Sequence, residues 1–259
     1  MPSGLYMDRP PGDPEKVVRA NHTLTFGAPK LVFFLPGTGP LAGQWEVLDI
    51  GLDPGFISAV ETDYSLIDPS RLRAWYRPRS KYGHKGTYGH ALILGGSYGK
   101  IGAVALAARA ALLSGAGLVT ACVPGCGYIP LQSGLPEIMV RTTPDMEEHT
   151  EFPQAEQGQT QGMGMGLGTG EAVQKAFLHW LKHQKKPVLL DADALNILSL
   201  YPDALGDIPE QSILTPHPGE LKRLVGEWGD DFEKLRKAGE FAKKWNCILL
   251  IKGAHTAVL

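Results

Sequence analysis

The sequence predicts a three-layer α/β protein, because short apolar segments alternate with helical ones over most of its length. Apolar runs such as Val188–Leu190 and Ile248–Ile251 do not alternate with polar residues. Runs of this kind are typical of strands that are buried on both faces of a parallel sheet. Glycine and polar residues follow strand after strand, and the carboxyl ends of parallel strands meet at one edge, where ligands bind in such folds. The fold class and a ligand site are therefore predicted together.

The individual elements follow from apolar periodicity and from the glycine and proline residues that interrupt it. Strands are predicted at Ala91–Leu94, Leu118–Val123, Glu137–Arg141, Gly162–Met165, Pro187–Ala192, Ser212–Thr215 and Cys247–Lys252. Helices are predicted at Ile101–Ser114, Glu171–His183, Gly219–Val225 and Asp231–Lys244. A parallel sheet with helices on both faces accounts for this order.

Composition narrows the class of protein. A chain of 259 residues with 43% hydrophobic residues can bury a sizeable core, in one large or two small domains. The formal net charge of −2 gives no indication of nucleic acid or an anionic membrane as a partner. Three cysteines cannot form a disulfide framework, and no signal peptide or bilayer-spanning run is recognised, so we expect a reducing cytoplasm.

The first 68 residues follow a different pattern. Three short strand-like runs, at His22–Phe26, Leu31–Leu35 and Trp45–Ile50, have no long helix between them. Such strands cannot bury both faces of a sheet, so we interpret this part as the end of a domain whose beginning is absent. Thr62–Ser70 is typical of a linker to a second domain.

A glycine-rich turn, Gly95–Lys100, separates the first strand of the second part from its helix. The unpaired amides at the start of that helix favour an anion. The turn matches neither of two familiar phosphate motifs, because Leu94 occupies the first glycine position of both the P-loop and the dinucleotide fingerprint. A tight turn and a nucleotide-binding turn both remain open on this stretch alone.

Asp191 and Asp193 lie at the end of a predicted strand. Paired carboxylates at such a place suit Mg²⁺, directly or through water. The alternative is structural, with Asp193 as the N-cap of a helix over Ala194–Leu200. Similarly, the glycine cluster Gly162–Gly170 is either a flexible loop or a place where a ligand approaches the backbone closely.

Three further places offer groups that suit a ligand. Lys252–Thr256 provides a cation, bare amides and a hydroxyl, which together suit phosphate. Lys85, in the polar segment before the first strand, is a second phosphate candidate. His217 is held stiffly between two prolines, although a lone histidine is more often structural.

Five segments stand in a specific order along the second part of the chain. They are HKGTYGHALILGGSYGKIGAVALAARAALLSGAGLVT, GMGLGTG, LLDADALNIL, LTPHPGELKRL and LLIKGAHT. In this order they resemble the NAD(P)H-hydrate dehydratase family, which has the ribokinase-like fold of three αβα layers. The resemblance covers about Ser70–Leu259, so residues 69–259 are expected to be a dehydratase domain.

The front of the chain carries a second resemblance. The segments NHTLTF, PKLVFF and WEVLDIGL resemble the end of the NAD(P)H-hydrate epimerase domain, a Rossmann-like α/β domain. In bifunctional nicotinamide-nucleotide repair proteins that domain precedes the dehydratase. Residues 1–68 are therefore expected to be the last strands of an epimerase domain, with its linker.

The resemblance implies repair of damaged nicotinamide cofactors. NADH and NADPH can add water across the nicotinamide ring, and the epimerase interconverts the R and S hydrates. The dehydratase removes water from the S form while consuming ADP, or ATP in eukaryotic relatives, and gives AMP and phosphate. Hydroxide is a poor leaving group, so phosphoryl transfer to the ring hydroxyl is implied, with positioning, a cation and a metal to assist it.

The resemblance also implies site residues and partners. Residues expected to contact the hydrate are Ala103, Gly166 or Gly168, and His217. Residues expected to hold the nucleotide are Lys252, Gly253, Ala254, His255 and Thr256. The implied cofactors are ADP or ATP with Mg²⁺, and K⁺ for an epimerase part; the implied assembly is a homo-oligomer, a tetramer in the family, with neither nucleic acid nor membrane as partner.

Part of the family pattern is not matched. After K-G-x-x-T the family continues with N-x-G-M-A-x-x-G-x-G-D-V-L, whose Asp is the catalytic candidate, whereas this chain ends at Leu259. The family's epimerase also carries an Asp before the segment that matches Met1–Gly4. We therefore expect little or no dehydratase activity from residues 1–259 alone. The apolar run His255–Leu259 is expected to lack a pairing strand.

Three functions remain open from the sequence. The first is the dehydratase, whole or truncated. The second is a small-molecule kinase of the same fold, such as a relative of hydroxyethylthiazole kinase, whose product is a stable phosphate ester. The third is a non-catalytic nucleotide-binding fragment, which the unmatched segment favours over full activity. The LTPHPGE motif argues against the kinase, because it belongs to the hydrate family.

Overall fold

The computed structural model describes residues 1–259, which form two compact units. The first unit comprises Met1–Ser80 with Trp228–Arg236, and the second comprises Lys81–Glu227 with Lys237–Leu259. The structural boundary thus falls at Ser80, 12 residues after the predicted domain end at Asp68. The assignment of the front of the chain to an epimerase domain stays a prediction.

The first unit contains a small parallel sheet. Its strands β1 (His22–Phe26) and β2 (Gln44–Leu48) flank a short helix, α1 (Gly39–Ala42). The strand predicted at Leu31–Leu35 is wrong, because Leu31–Phe33 forms a 3-10 turn. Val32 and Phe33 are buried in a local apolar cluster instead of pairing in a sheet, and a short apolar run does not distinguish these two outcomes.

Two short helices follow in the first unit, α2 (Pro54–Ala59) and α3 (Pro69–Trp75). Each begins at an Asp-Pro pair. The carboxylates of Asp53 and Asp68 accept hydrogen bonds of 2.9 Å from backbone amides in the first turn, those of Phe56 and Arg71. Proline in the first turn costs no hydrogen bond, so the sequence fixes both starts.

The second unit is an eight-stranded sheet with helices between its strands. The strands are β3 (His90–Leu94), β4 (Leu118–Val123), β5 (Met139–Thr142), β6 (Gln159–Met163), β7 (Val188–Leu190), β8 (Ile213–Leu214), β9 (Ile248–Ile251) and β10 (Ala257–Val258). The helices are α4 (Ile101–Leu113), α5 (Tyr128–Gly134), α6 (Glu171–Lys182), α7 (Asp193–Leu200), α8 (Pro218–Val225) and α9 (Asp231–Lys244), the last divided between the two units. The strand order is β10-β9-β8-β7-β6-β3-β4-β5, and all neighbours are parallel except β9 and β10.

Both faces of this sheet are covered, which confirms the three-layer prediction. On one face, Ile93 and Val119 pack with Val104 of α4 and Leu131 of α5. Leu94 points to the opposite face, because successive side chains alternate along a strand, and it too is fully buried. The predicted parallel sheet with layers of helices is therefore present.

Differences from the predicted elements have local causes. The strand predicted at Gly162–Met165 begins earlier, at Gln159, because Gln161 is buried and its side-chain amide donates to Gln184 Oε1 at 2.7 Å. A polar residue with a buried partner cannot be recognised from its type alone. Helix α5 was not predicted, since it has seven residues and contains Pro130 and Gly134.

The last residues of the chain pair with a strand, contrary to expectation. Residues 255–259 were expected to have no pairing strand, but Ala257 and Val258 pair antiparallel with β9. Leu249 and Leu259 exchange backbone hydrogen bonds of 3.0 and 2.9 Å. The bend at Gly253–His255 reverses the chain, so the partner of this segment is the strand immediately before it.

The three cysteines are free thiols. Burial raises the pKa of Cys122 and of Cys247 to about 11, so both stay protonated at neutral pH and act as small apolar core residues. No helix of the chain is both long and apolar enough to cross a membrane.

Strand order also locates the place where ligands bind in open α/β sheets. From β3 the chain moves outward to β4 and β5, then returns so that β6 lies on the other side of β3. Between β3 and β6 the direction of winding therefore reverses. In folds of this kind the crevice at the carboxyl ends of these two strands receives the ligand.

Candidate functional site at the carboxyl edge of the sheet

Two glycine segments meet at this crevice: the turn after β3 and the loop after β6. The amide of Gly96 donates to the carbonyl of Met165 at 2.9 Å, and Ser97 Oγ donates to the carbonyl of Gly166 at 3.0 Å. The two segments are thus joined by hydrogen bonds into one continuous surface of backbone.

Glycine is required in the loop after β6 by close backbone contacts. A Cβ on Gly164 would lie 1.9 Å from the carbonyl oxygen of Asp191, and one on Gly166 would lie 2.7 Å from that of Lys100. Both glycines have positive φ, +122° and +65°, which side chains disfavour. A Cβ on Gly166 would also lie 3.1 Å from Cβ of Ala103. The structure therefore brings together two of the residues predicted to contact the hydrate, Ala103 and Gly166.

Helix α4 begins at this surface with no side chain capping it. Its N-cap residue, Lys100, makes no side-chain hydrogen bond to the first turn. Helices of this length carry a partial positive charge at the first turn, and uncapped amides there bind anions. The predicted anion-binding position at the glycine turn is thus open in the structure.

Asp193 links the glycine loop to helix α7. Its Oδ2 accepts from the amide of Gly168 at 2.8 Å, and its Oδ1 accepts from Asn196 Nδ2 at 3.2 Å. The structural alternative, in which Asp193 is the N-cap of the helix, is wrong: the N-cap is Ala192, with φ of +50°, and Asp193 is the first helical residue. The amide of Asp193 donates to the carbonyl of Gly164 instead.

Asp191 forms an ion pair with the ammonium group of Lys252, the residue that follows β9. Its Oδ1 accepts from Lys252 Nζ at 2.6 Å and from the amide of Ala192 at 2.8 Å. The Lys252 amide in turn donates to the carbonyl of Pro216 at 3.0 Å. The side chain of Lys252 is 41% exposed, so its ammonium group is fixed at the edge of the sheet and still faces solvent.

The two aspartates do not form a metal site by themselves. Three of their four carboxylate oxygens already accept hydrogen bonds from within the chain. No group of three or more His, Cys, Asp or Glu side chains is arranged to hold a metal ion. Because Mg²⁺ prefers six oxygen ligands, a metal held by Asp191 and Asp193 alone does not fit these residues.

His217 caps helix α8. Its Nδ1 accepts from the amides of Gly219 and Glu220 at 2.9 and 3.4 Å, while Glu220 Oε2 accepts from the His217 amide at 2.9 Å. This is a capping box with histidine in the place of serine or threonine. The structural alternative for His217 is thus present: Nε2 also lies 3.3 Å from Glu220 Oε1, and the side chain is 52% exposed.

Lys85 lies at the wrong edge of the sheet for a phosphate ligand at this site. A Cβ on Gly117, the residue before β4, would be 1.7 Å from the Lys85 carbonyl oxygen, and the Gly117 amide donates to the carbonyl of Tyr88. Lys85 therefore packs at the amino ends of the strands, whereas Lys252 lies at their carboxyl ends. The prediction for Lys85 failed because the sequence shows no spatial direction for a segment before a strand.

The segment Lys252–Thr256 forms an exposed bend between β9 and β10. Residues 253–256 are exposed next to the partly exposed Lys252, as a phosphate-binding segment requires. The structure places this segment and the Ala103–Gly166 contact at the same edge of the sheet. Between them lie the strand ends of β7 and β8, which carry Asp191 and His217.

The sequence analysis did not identify His149 as a site residue. It is buried beside Gly95, the first residue of the glycine turn. Its side chain is 0% exposed; Nε2 lies 2.8 Å from the carbonyl oxygen of Gly95, and Nδ1 lies 3.2 Å from Thr143 Oγ1. Burial lowers the pKa of His149. The residue belongs to an irregular loop, where no periodicity or motif could indicate that it is buried.

A cavity of about 450 Å³ opens beside this loop, between the end of β5 and helix α6. Arg141, Thr143, Phe152 and His179 are among its lining residues. None of the residues predicted for the hydrate or the nucleotide lines it. The cavity is therefore separate from the candidate site, although Thr143 forms part of its wall and also contacts His149.

An open, mostly parallel sheet with glycine segments at its switch point and a cation at a neighbouring strand end defines a ribokinase-like α/β protein with a nucleotide-type site. Residues 91–259 match the family described as NAD(P)H-hydrate dehydratase. The chain belongs to this family, which confirms the resemblance inferred from its motifs.

Curated relatives and solved structures agree with this assignment. The bifunctional NAD(P)H-hydrate repair enzymes of Moorella thermoacetica and Escherichia coli are each 34% identical to this chain over 93% and 100% of its length, which is 47% and 48% of theirs. The chain thus spans about half the length of the curated relatives it matches.

Among solved structures, an ADP/ATP-dependent NAD(P)H-hydrate dehydratase from Bacillus subtilis, co-crystallized with ATP and Mg²⁺, is 30% identical, with a TM-score of 0.56 over 73% of this chain and 66% of that one. A ribokinase-like protein from Enterococcus faecalis, 23% identical with a TM-score of 0.58 over 70% of this chain and 63% of that one, shares the fold.

The buried imidazole generates a prediction for stability. Because the pKa of His149 is lowered in the folded state, the unfolded chain binds more protons below the usual histidine pKa of about 6.5. The contribution of neutral His149 to the free energy of unfolding is thus complete above that pH. It is lost as the pH falls from there towards the pKa of His149 in the folded protein. We expect the midpoint of urea unfolding to decrease from pH 7.5 to pH 5.5. In a His149→Gln variant, which cannot be protonated there, the decrease should be smaller; an equal decrease would contradict the prediction.

Proposed function

We propose that this chain carries the hydrate and nucleotide sites for removing water from the S form of NAD(P)H hydrate at the expense of ADP, a reaction that gives NAD(P)H, AMP and phosphate. The observation that carries the proposal is one connected row of contacts along the carboxyl edge of the sheet. It runs from Ala103 against Gly166, through the Gly168–Asp193 hydrogen bond of 2.8 Å, to the Asp191–Lys252 ion pair of 2.6 Å. The two ends of the row are the positions that the family assigns to hydrate and to nucleotide.

The hydrate is expected at the end of the row near α4. Ala103 and Gly166 are small, so a flat ring can approach the backbone between them. The uncapped first turn of α4 attracts the negative charge of the dinucleotide's phosphates. Both ring nitrogens of His217 have partners within α8, because Nδ1 caps the helix and Nε2 lies 3.3 Å from Glu220 Oε1, so the half-exposed ring offers a flat surface to the hydrate.

The nucleotide is expected at the end of the row near β9. A lysine ammonium group has three donors, and one of them is directed to Asp191. Two donors therefore remain for phosphate oxygens, beside the exposed residues 253–256. Asp191 thus holds the cation in place before the nucleotide binds, which reduces the entropy lost on binding.

The chemistry follows from the poor leaving ability of hydroxide. Transfer of a phosphoryl group from ADP to the ring hydroxyl turns hydroxide into phosphate, which leaves readily. For the chain's own residues this is a task of positioning two substrates and stabilising negative charge. Nucleotides bind Mg²⁺ chiefly through their phosphates; since Asp191 and Asp193 have other partners, we assign no step to a metal here.

By resemblance we extend the proposal to a bifunctional repair protein. Residues 1–68 are proposed to be the end of an epimerase domain, whose activity is the interconversion of R and S hydrates with K⁺ as its ion. A homo-oligomer, a tetramer in the family, and a cytoplasmic location complete this proposal. The names of the curated relatives, bifunctional NAD(P)H-hydrate repair enzymes, support it.

The direct test is turnover of prepared S-NADHX with ADP and Mg²⁺, followed at the absorbance band of reduced nicotinamide and by phosphate release. Two proteins are compared: residues 1–259, and a form extended through the family's G-x-G-D segment. We expect ADP-dependent recovery of NADH by the extended form, and the comparison shows whether residues 1–259 suffice for turnover. A stable phosphorylated hydrate would instead identify a kinase, and nucleotide binding without turnover in both forms would contradict the dehydratase.

Replacing Lys252 by alanine tests the nucleotide end of the row. We expect ADP affinity to fall by about 1–3 kcal/mol, because a charge-assisted contact to phosphate is lost. Calorimetric titration of ADP measures this effect. The matched control is Lys182→Ala, an exposed lysine on α6, which should leave ADP affinity unchanged; equal affinities in both variants would remove Lys252 from the nucleotide site.

Replacing His217 tests the hydrate end. His217→Asn keeps an N-cap for α8 and removes the ring, whereas His217→Ala removes both, at a cost of about 1 kcal/mol in stability. We expect both variants to bind NADPH roughly threefold to tenfold more weakly and to bind ADP as the wild type does. If the asparagine variant retains full NADPH affinity, the role of His217 is the helix cap alone.

A further inference from the structure

We propose that His149 is a positioning residue, which fixes the carbonyl of Gly95 and thereby aligns the glycine turn and the first turn of α4 with the hydrate. This inference rests on the proposed function, because it concerns the hydrate end of the same site. Its evidence is the way in which the turn is anchored.

Two consecutive glycines, Gly95 and Gly96, begin the turn, and three hydrogen bonds hold them. The amide of Gly95 donates to the carbonyl of Cys122 at 3.2 Å, and the amide of Gly96 donates to that of Met165 at 2.9 Å. The carbonyl of Gly95 accepts from His149 Nε2 at 2.8 Å. His149 is thus the only side chain among these three anchors.

The surroundings of the imidazole fix which nitrogen carries the proton. The ring is fully buried, and it packs against Phe152 with 4.6 Å between ring centroids and an interplanar angle of 32°. Its polar partners are Gly95 and Thr143. A neutral ring has one donor and one acceptor. Since the Gly95 carbonyl can only accept, Nε2 carries the hydrogen, and Thr143 Oγ1, 3.2 Å from Nδ1, donates to the other nitrogen. Thr143 therefore orients His149, and His149 orients Gly95.

The same loop contacts the turn a second time. The amide of Tyr98 donates to the carbonyl of Glu147 at 2.8 Å, two residues before His149. The loop that carries His149 therefore holds both the start and the middle of the turn. Its own position is set by Thr143, whose amide donates to the carbonyl of Val123 at the end of β4.

The anchoring matters because glycine has the largest backbone freedom of any residue. The turn leads directly into α4, whose first turn has no side-chain cap to fix it. The direction of the first amides of α4, and the separation of Ala103 from Gly166, depend on where the turn is held. A shift of the Gly95 carbonyl would therefore weaken hydrate binding without touching Lys252, which lies four strands away at β9.

Three variants of the 259-residue chain separate this role from simple core packing. His149→Leu keeps an apolar volume and removes the donor. His149→Gln replaces the donor, because the glutamine amide nitrogen can occupy the place of Nε2. Thr143→Val keeps the imidazole and its volume but removes the hydroxyl that selects its tautomer. Urea unfolding of each variant confirms that the protein measured is folded.

The probes are NADPH, a stable relative of the hydrate, and ADP, each titrated by calorimetry. We expect His149→Leu to bind NADPH about tenfold more weakly, the loss of one buried hydrogen bond, and to bind ADP with unchanged affinity. His149→Gln should return to within about threefold of the wild type, and Thr143→Val should lie between the two. Amide hydrogen exchange of Gly96–Lys100 should be faster in the leucine variant and restored in the glutamine variant.

The outcomes distinguish this inference from the proposed function. Equal loss of NADPH affinity in the leucine and glutamine variants, or a parallel loss of ADP affinity, would show a packing role and overturn the inference. So would unchanged NADPH affinity in the leucine variant when the wild type binds. If the wild type binds neither NADPH nor ADP, the proposed function is contradicted. In that case hydrogen exchange of the turn alone decides whether His149 anchors it.

Discussion

The second unit depends on one close backbone contact, between the turn after β3 and the loop after β6. A Cβ on Gly95 would lie 2.5 Å from the carbonyl oxygen of Met165, so no other residue allows this approach. The contact closes the crevice at the switch point of the sheet and brings Ala103 next to Gly166. The glycines are thus required first by packing, and the open backbone surface that suits a ligand is a consequence of that packing.

The carboxylates of Asp191 and Asp193 hold the site together from the neighbouring strand. Between them Ala192 adopts φ of +50°, a conformation that costs a non-glycine residue about 1–3 kcal/mol. This cost is offset because the two side chains bond to the flanking segments, Asp193 to the Gly168 amide and Asp191 to Lys252. Strain concentrated at a ligand edge is typical of sites that are organised before the ligand binds.

Many of the strands and helices could be predicted from the sequence. The predictions that were wrong share a cause, which is that residue type and spacing do not define tertiary position. Strands such as β4 and helices such as α9 were predicted to the residue, since their apolar residues recur with a clear period. Lys85 was misplaced because type and spacing do not tell at which edge of a sheet a loop lies. The apolar run at Leu31 was misread as a strand because a buried turn and a buried strand need the same residues.

The sequence by itself determined the α/β class, the parallel sheet, the family and the strand ends where the site lies, because periodicity and glycine position are local properties of the chain. Only the tertiary structure decided which partners the polar residues have. In the structure Asp193 accepts from the Gly168 amide, Asp191 pairs with Lys252, His217 caps a helix, and His149 is buried against Gly95. These partners lie up to 61 residues apart, and such contacts depend on the folded sheet that brings distant loops to one edge.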